Sequence, residues 1–451
     1  MSDPLSSSSF SRRRVLGLGL GAAAALPLAS GLSGCAGAST TGGGGGSGAM
    51  QFYATQFSQV EEKQRYEAIV KKFLTDPPVS FNVAPSTSEF LTQIKTQVQA
   101  KKVSFDLVGG LYGDLAPVAD QLEDLDDLAG DATAAGVPAE LMKLGKLNGS
   151  TQKFIPWMQA TYVVAVNKKA LQWLPGGADV NALTYDQYLA WAKAAKAGNG
   201  GKAVFGMPCG PKGLYHRFFQ GYLLPSFTGG QITTFAGADA QAAWAYMKEL
   251  WANMNPASTN YDNMQDPLAS GEVLVAWDHV ARLVGAPKAK PDEWIMVPAP
   301  SGPKGLGYML IVAGLAVPRG GDKAKAGKTI KALLKNDVQG ETLKQNAFFP
   351  VTKGDLPGDL PPAVSLEAKA VQAQQTNSKA VVALPPVGVG AKDAELGQAF
   401  KDTFTQICLQ NKPVAEVVSA QAKVIQKILD EVKVPCWAPD PASNGQPCKV
   451  G

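Results

Sequence analysis

The chain has 451 residues, of which 45% are hydrophobic, 18% charged and 8% aromatic, enough for one large or two ordinary globular domains, each with a core. Lys and Arg number 42 against 38 Asp and Glu, a formal charge of +4 without a long basic run, which disfavours a nucleic-acid partner. Many of the 48 glycines fall in one run and in the leader, so neither collagen nor wholesale disorder fits.

Residues 1–10 are polar and Ser-rich; Ser11-Arg12-Arg13-Arg14 then precedes an apolar stretch over 15–34. This charged-then-apolar layout is that of an export signal over 1–34, and the arginine pair resembles a twin-arginine signal, which implies export of an already folded chain. Leu32-Ser33-Gly34-Cys35 resembles a lipobox, in which the thiol of Cys35 takes a diacylglycerol. The Gly- and Ala-rich stretch is only weakly hydrophobic for a membrane helix. The Gly-rich segment 35–49 cannot bury a core and reads as a flexible tether, so the body begins near Met50. Loss of residues 1–34 removes three arginines and one aspartate and leaves a formal charge of +2.

Lipidation of Cys35 leaves Cys209, Cys408, Cys436 and Cys448, an even number in an exported chain. Three pairings are possible. Cys436 and Cys448 bracket a Pro- and Gly-containing tail, which favours 436–448 and, by elimination, 209–408. The absence of a Cys-x-x-Cys motif or a nearby His argues against zinc, and no metal or cofactor is expected.

In the body, Gln51-Phe52-Tyr53-Ala54-Thr55 is a strand candidate, followed by a helix with Tyr66, Ile69, Val70 and Phe73 at helical spacing. Val79-Ser80-Phe81-Asn82-Val83 alternates as a strand, and Ser86-Thr87-Ser88-Glu89 has the form of a capping box for a helix carrying Phe90, Ile94 and Val98. Phe105-Asp106-Leu107-Val108 reads as a third strand ending at Gly109-Gly110. The alternation predicts parallel, helix-covered sheets. Farther on, residues 162–166 are β-rich, Thr184-Tyr185-Asp186-Gln187 caps a helix, and residues 239–254 form another helix. Residues 273–277 and 310–317 read as buried strands, and a Lys- and Ala-rich helix over 323–335 follows the second.

Chemistry is sparse. His216 and His279 are the only histidines, and neither a Gly-x-Ser-x-Gly elbow nor a His-Glu-x-x-His motif occurs, so an enzyme is not expected. The run from Gly321 to Gly327-Lys328-Thr329 has five residues between its glycines where a phosphate loop needs four, and reads as a solvated helix.

Four segments together resemble the extracellular solute-binding lipoproteins of ABC importers, specifically the carbohydrate-binding group. They are Phe105-Asp106-Leu107-Val108 with residues 115–128 after it; Tyr162-Val163-Val164-Ala165-Val166-Asn167-Lys168-Lys169 leading to Leu183-Thr184-Tyr185-Asp186-Gln187; Leu268-Ala269-Ser270-Gly271-Glu272 running into Val273-Leu274-Val275-Ala276-Trp277; and Leu315-Ala316-Val317-Pro318 through Phe348-Phe349-Pro350-Val351. The resemblance implies an α/β, two-lobed periplasmic-binding-protein fold of the Venus-flytrap kind, each lobe a helix-covered, mainly parallel sheet. It implies hinge crossings near Ala160, Leu310 and Val351, with one lobe of residues 50–160 plus 311–350 and the other of 161–310 plus 351–451. The implied partners are a small-molecule solute, a sugar, and the membrane permease of an ABC importer. The protein is expected as a monomer held by its lipid on the outer face of the cell membrane. A glycerophosphodiester, polyamine or peptide solute, or an exported glycoside hydrolase, are the alternatives.

Ligands of open α/β sheets sit beyond the carboxyl ends of the strands. The expected contacts are therefore Gln56, Phe57 and Glu61 after the first strand and Tyr112 after the third; Trp157 near the first crossing; Trp277, Asp278 and His279 after the later strand; and Tyr308 before the last crossing. Trp157 and Trp277 are the expected stacking platforms for sugar C–H faces, and Asp278 the expected acceptor for hydroxyls.

Overall fold

The computed structural model describes residues 48–147 and 149–451. The export signal, Cys35 and the tether up to Ser47 lie outside the described residues.

The periodicities become two main sheets. Strand β1 (Met50–Ala54) buries Met50, Phe52 and Ala54 fully on one face and half-buries Gln51 and Tyr53 on the other. It pairs in parallel with β2 (Val79–Val83) and with β3 (Leu107–Leu111). Together with β4 (Ile155–Ala160), β10 (Ile311–Ala316) and β11 (Phe349–Pro350) they form a six-stranded sheet of order β11-β4-β10-β3-β1-β2. A four-stranded sheet has the order β6-β7-β5-β8, made of β5 (Tyr162–Asn167), β6 (Phe205–Gly206), β7 (Val275–His279) and β8 (Trp294–Val297). A parallel pair joins β9 (Leu306–Met309) to β12 (Ala380–Ala383).

These sheets are mixed, a correction to the expectation of mainly parallel ones. β10 runs antiparallel to both β3 and β4, and β5 antiparallel to both β7 and β8. The cause is the route of the chain. β4 of one sheet continues through Thr161 directly into β5 of the other, and β9 passes through Leu310 into β10. A strand entering from a crossing starts where its neighbours finish, and must run against them. The third passage follows β11 and leads to the helix Pro362–Gln375, which packs on β8.

Local signals set the helices. The helix Thr87–Gln99 begins at Ser86, whose Oγ accepts from the Glu89 N–H at 3.1 Å. The expected reciprocal bond is absent there, because the Glu89 carboxylate accepts from Gln93 Nε2 instead. At Tyr185–Gly198 both halves of the Thr184/Gln187 box are made. Asp322 caps Lys323–Leu333 by accepting from the Lys325 N–H, so the glycine-lysine run is a helix start. At β10 a register shift falls between Ala313 and Gly314, and a Cβ at Gly314 would meet the Phe154 ring at 2.1 Å, so that strand can pass the ring only as glycine.

Phe52, Phe57, Tyr66, Phe81 and Trp157 lie in the core of the six-stranded sheet. Tyr188, Trp191, Phe205, Phe219 and Trp244 lie in the core beside the four-stranded sheet, where the helices Ala238–Trp251, Asp393–Phe404 and Val414–Val432 also pack. The tail beyond them is tied by the Cys436–Cys448 disulfide. Cys209 and Cys408 remain free thiols, which corrects the second expected bridge. Counting cysteines cannot supply the short Cα separation a disulfide needs; burial instead pushes both thiols up, away from the reactive thiolate.

Candidate functional site

The carboxyl ends of β1, β6 and β7 face one cleft of about 530 Å³. Gln59, Glu61, Glu62 and Arg65, at the start of the helix Val60–Phe73 that follows β1, form one wall. The other wall consists of Lys212, from the loop after β6, Asp262 and Asn263, before the helix Gln265–Ser270, Gln265 at that helix's start, and Ala281 and Arg282, just past β7.

Arg282 organises the base of this cleft. Its Nη1 donates to the Asp262 carbonyl at 3.3 Å. Asp278 is fully buried, and that burial raises its carboxyl to about 6 against the opposing pull of Arg282 and of the His279 and Met264 N–H groups, which donate to it at 2.7 and 2.9 Å. Burial likewise drives His279 down to about 3, with the Arg282 charge adding to the effect. Its Nδ1 accepts from the Ala281 N–H at 3.2 Å, as a neutral imidazole can. On the facing wall burial raises the Glu62 carboxyl, while Arg282 and Arg65 act the other way. Arg65 is steadied by a bond from its Nε to Asn346 Oδ1 at 2.8 Å.

A second polar group brings the turn after β3 close to the helix Asp393–Phe404. Asp114 is raised to about 6, first by burial and then by Asp393, and is held by the Leu111 N–H and by Thr55 Oγ1, which donates at 3.3 Å. Arg217 pairs with Asp393 at 2.9 Å and donates to Gln220 Oε1 at 3.0 Å. Gly113 abuts Pro386 so closely that a Cβ would come within 2.3 Å of the carbonyl.

The crossings are tied to each other. Thr161 Oγ1 donates to the Met309 carbonyl at 2.7 Å and lies 2.9 Å from Tyr222 Oη, which also accepts from the Tyr162 N–H. Gln159 Nε2 donates to the Pro350 carbonyl at 2.7 Å.

Of the residues expected from sequence, Glu61 lines the cleft. Asp278 and His279 do not line it and lie inside β7 rather than in a loop after it. Gln56 and Phe57 precede it, but both are buried: Gln56 Nε2 donates to Thr55 Oγ1, and the Phe57 ring stacks on Tyr66 at 4.1 Å. Trp157 and Trp277, expected as sugar platforms, are packed inside. Trp157 meets Phe52, Phe57 and Tyr66, whereas Trp277 stacks on Tyr162 at 4.6 Å and meets Phe218 and Tyr222 edge-on. The reason is that helices cover both faces of these sheets, so either side of a central strand is core. Tyr112 lines a separate cavity of about 340 Å³ with Leu384, Val387 and Trp437, and Tyr308 is buried in β9.

Sequence reasoning missed Glu62, Arg65, Lys212, Asp262 and Arg282. The usable signal was the strand-end rule itself, extended past the strand into the next turn, where Arg282 stands three residues beyond His279. Among the described residues no cluster of His, Cys, Asp and Glu could hold a metal ion, and no helix is long and apolar enough to cross a membrane.

Residues 58–340 match the model of the family described as bacterial extracellular solute-binding protein. The chain belongs to this family. Its members serve ABC importers as binding proteins, and the two-lobed architecture seen here is theirs. The chain is similar to maltose-bound MalE3 of T. maritima, with 18% identity and a TM-score of 0.66 over 84% of this chain and 99% of that one. It is similar to the GacH receptor of Streptomyces glaucescens, studied with acarbose, at 19% identity and 0.65 over 85% and 99%. It is also similar to UgpB of Mycobacterium tuberculosis in complex with glycerophosphocholine, at 17% identity and 0.67 over 86% and 99%. No curated protein matches the sequence. At these identities the structural likeness speaks for the fold of this solute-binding protein.

Proposed function

We propose that this solute-binding protein captures a carbohydrate in the cleft at the ends of β1, β6 and β7 and hands it unchanged to a membrane permease. The observation that carries the reading is the cleft itself: polar, large enough for a small saccharide, and walled by loops from both sheets, which are joined by three bonded crossings. The lobes divide as 50–160 plus 311–350 and 161–310 plus 351–451. Contacts from both walls exist together only when the lobes close, so bound solute shifts the population toward the closed form. Solved relatives in complex with maltose and acarbose support a saccharide. The charged leader and Leu32-Ser33-Gly34-Cys35 support attachment through a lipid on Cys35 to the outer face of the membrane.

A thermal-shift screen of the purified protein against mono- and oligosaccharides, with amino acids, polyamines and glycerophosphodiesters as controls, tests the solute class. A saccharide at 100 times its dissociation constant adds about 2.7 kcal/mol of stability and raises the melting temperature without product forming. A shift only with controls overturns the sugar, and glycoside cleavage overturns the binding role. For the anchor, Cys35→Ala moves the protein into the soluble fraction; retention of that variant on membranes refutes lipidation at Cys35.

A further inference from the structure

The charges in the cleft narrow the kind of solute it takes. Arg65, Lys212 and Arg282 stand there with Glu61, Glu62 and Asp262, and none of the six makes an ion pair within bonding range among the described residues. Among the described residues each guanidinium gives one N–H, Arg65 to Asn346 and Arg282 to the Asp262 carbonyl, so most of their donors have no partner there. They reach the cleft from opposite walls and both act on the Glu62 carboxylate, which Glu61 opposes, so the three cations and three carboxylates balance and it is the unengaged guanidinium donors that an incoming oxyanion would meet. The Asp262 carboxylate is already engaged, its Oδ1 accepting from the Lys212 backbone N–H at 2.8 Å. Among the described residues no aromatic ring lines the cleft, so they offer no flat platform of the kind a neutral pyranose prefers.

We infer that the solute carries an anionic group, a carboxylate or a phosphodiester, which seats between Arg65 and Arg282 while its hydroxylated remainder meets the amides of Gln59, Asn263 and Gln265. Guanidinium forks pair with such oxyanions through short charge-assisted bonds and discriminate against neutral isosteres. The inference rests on the reading of this cleft as the solute site: the carboxylate form deepens carbohydrate capture to capture of an acidic sugar, whereas binding of the phosphodiester alone keeps the anionic solute and replaces the sugar with a polyol diester.

Calorimetric titration of the full chain tests it with maltotriose as the neutral probe, digalacturonate as the carboxylate and glycerophosphoglycerol as the phosphodiester, each at low and high salt. One acidic probe is expected to bind at least about tenfold more tightly than maltotriose and to weaken with added salt. Arg65→Gln and Arg282→Gln should each weaken it about ten- to hundredfold, the range for hydrogen bonds to charged groups. The two substitutions sit on different walls, so loss of folding in one leaves the other as the test, with melting curves reporting which variant is intact. The carboxylate and phosphodiester arms separate the two sources of negative charge. Maltotriose binding as tightly as either acid, unchanged in both variants, overturns the anionic solute and leaves carbohydrate capture standing. An acidic probe whose affinity survives both substitutions together with Asp262→Ala binds outside this cleft and overturns both readings. Failure of both acidic probes to bind overturns the inference.

Discussion

Glu367, on the helix Pro362–Gln375, is fully buried with both carboxyl oxygens unpartnered, and burial pushes its carboxyl well above the ordinary range. A folded-state value raised above the unfolded one contributes stability that is present at low pH and lost as pH rises. Glu367→Met should therefore stabilise the protein at pH 8 by about 1 to 3 kcal/mol and remove that decline; urea unfolding at pH 5 and 8 measures both effects. An unchanged slope would refute the account. Asp278 and His279 pull in opposite directions. Asp278, raised to about 6, loses its stabilising contribution as pH climbs from its ordinary 3.8 toward that value. His279, lowered to about 3, contributes stability that is present above its ordinary 6.5 and lost as pH falls. Between about 4 and 6 the two slopes offset, so Asp278→Asn should expose the histidine and make stability rise more steeply with pH across that window. A shallower rise in the variant would contradict the assignment.

Among the elements, the C-terminal tail depends on one side chain. The Asp440 carboxylate accepts from the backbone N–H groups of Gln231, Ile232 and Thr233 and from Thr233 Oγ1 at 2.6 Å, pinning the tail to the loop before the helix Ala238–Trp251. Asp440→Ala leaves three backbone donors to find water in a buried place and should cost at least about 2 kcal/mol in urea unfolding. The Cys436–Cys448 bridge keeps the tail as a closed loop, so the variant should fray at the loop and not unfold locally along the tail. Faster amide exchange at 231–233 with slow exchange inside the bridge is the expected pattern. Nothing in the sequence singles out Asp440, because its partners lie on a distant loop. The caps at Ser86 and Thr184, by contrast, are visible in the sequence because their bonds span three residues.

For the molecule as a whole, the passages between the sheets are held by Tyr222. Its hydroxyl accepts from the Tyr162 N–H, donates to the Tyr162 carbonyl at 3.0 Å and lies beside Thr161, at the point where β4 becomes β5. Tyr222→Phe strands the Tyr162 N–H in the interior and should cost about 1 to 3 kcal/mol, with faster exchange at Tyr162 as the local sign. Equal stability of the variant would show that the crossing is held by Thr161 and Met309 alone. The sequence by itself determined the strands, the helix starts and the ordered segments that mark the family, because alternation, helical spacing and caps act over a few residues. It could not tell that Trp157 and Trp277 turn inward, because a strand covered on both faces buries whichever side its rings take. Only the tertiary structure decided that the cleft is lined by charge in place of aromatic rings. Arg65 and Arg282 are far apart in the chain and come to opposite walls of one cleft only after the crossings bring the ends of β1 and β7 together, where both act on Glu62.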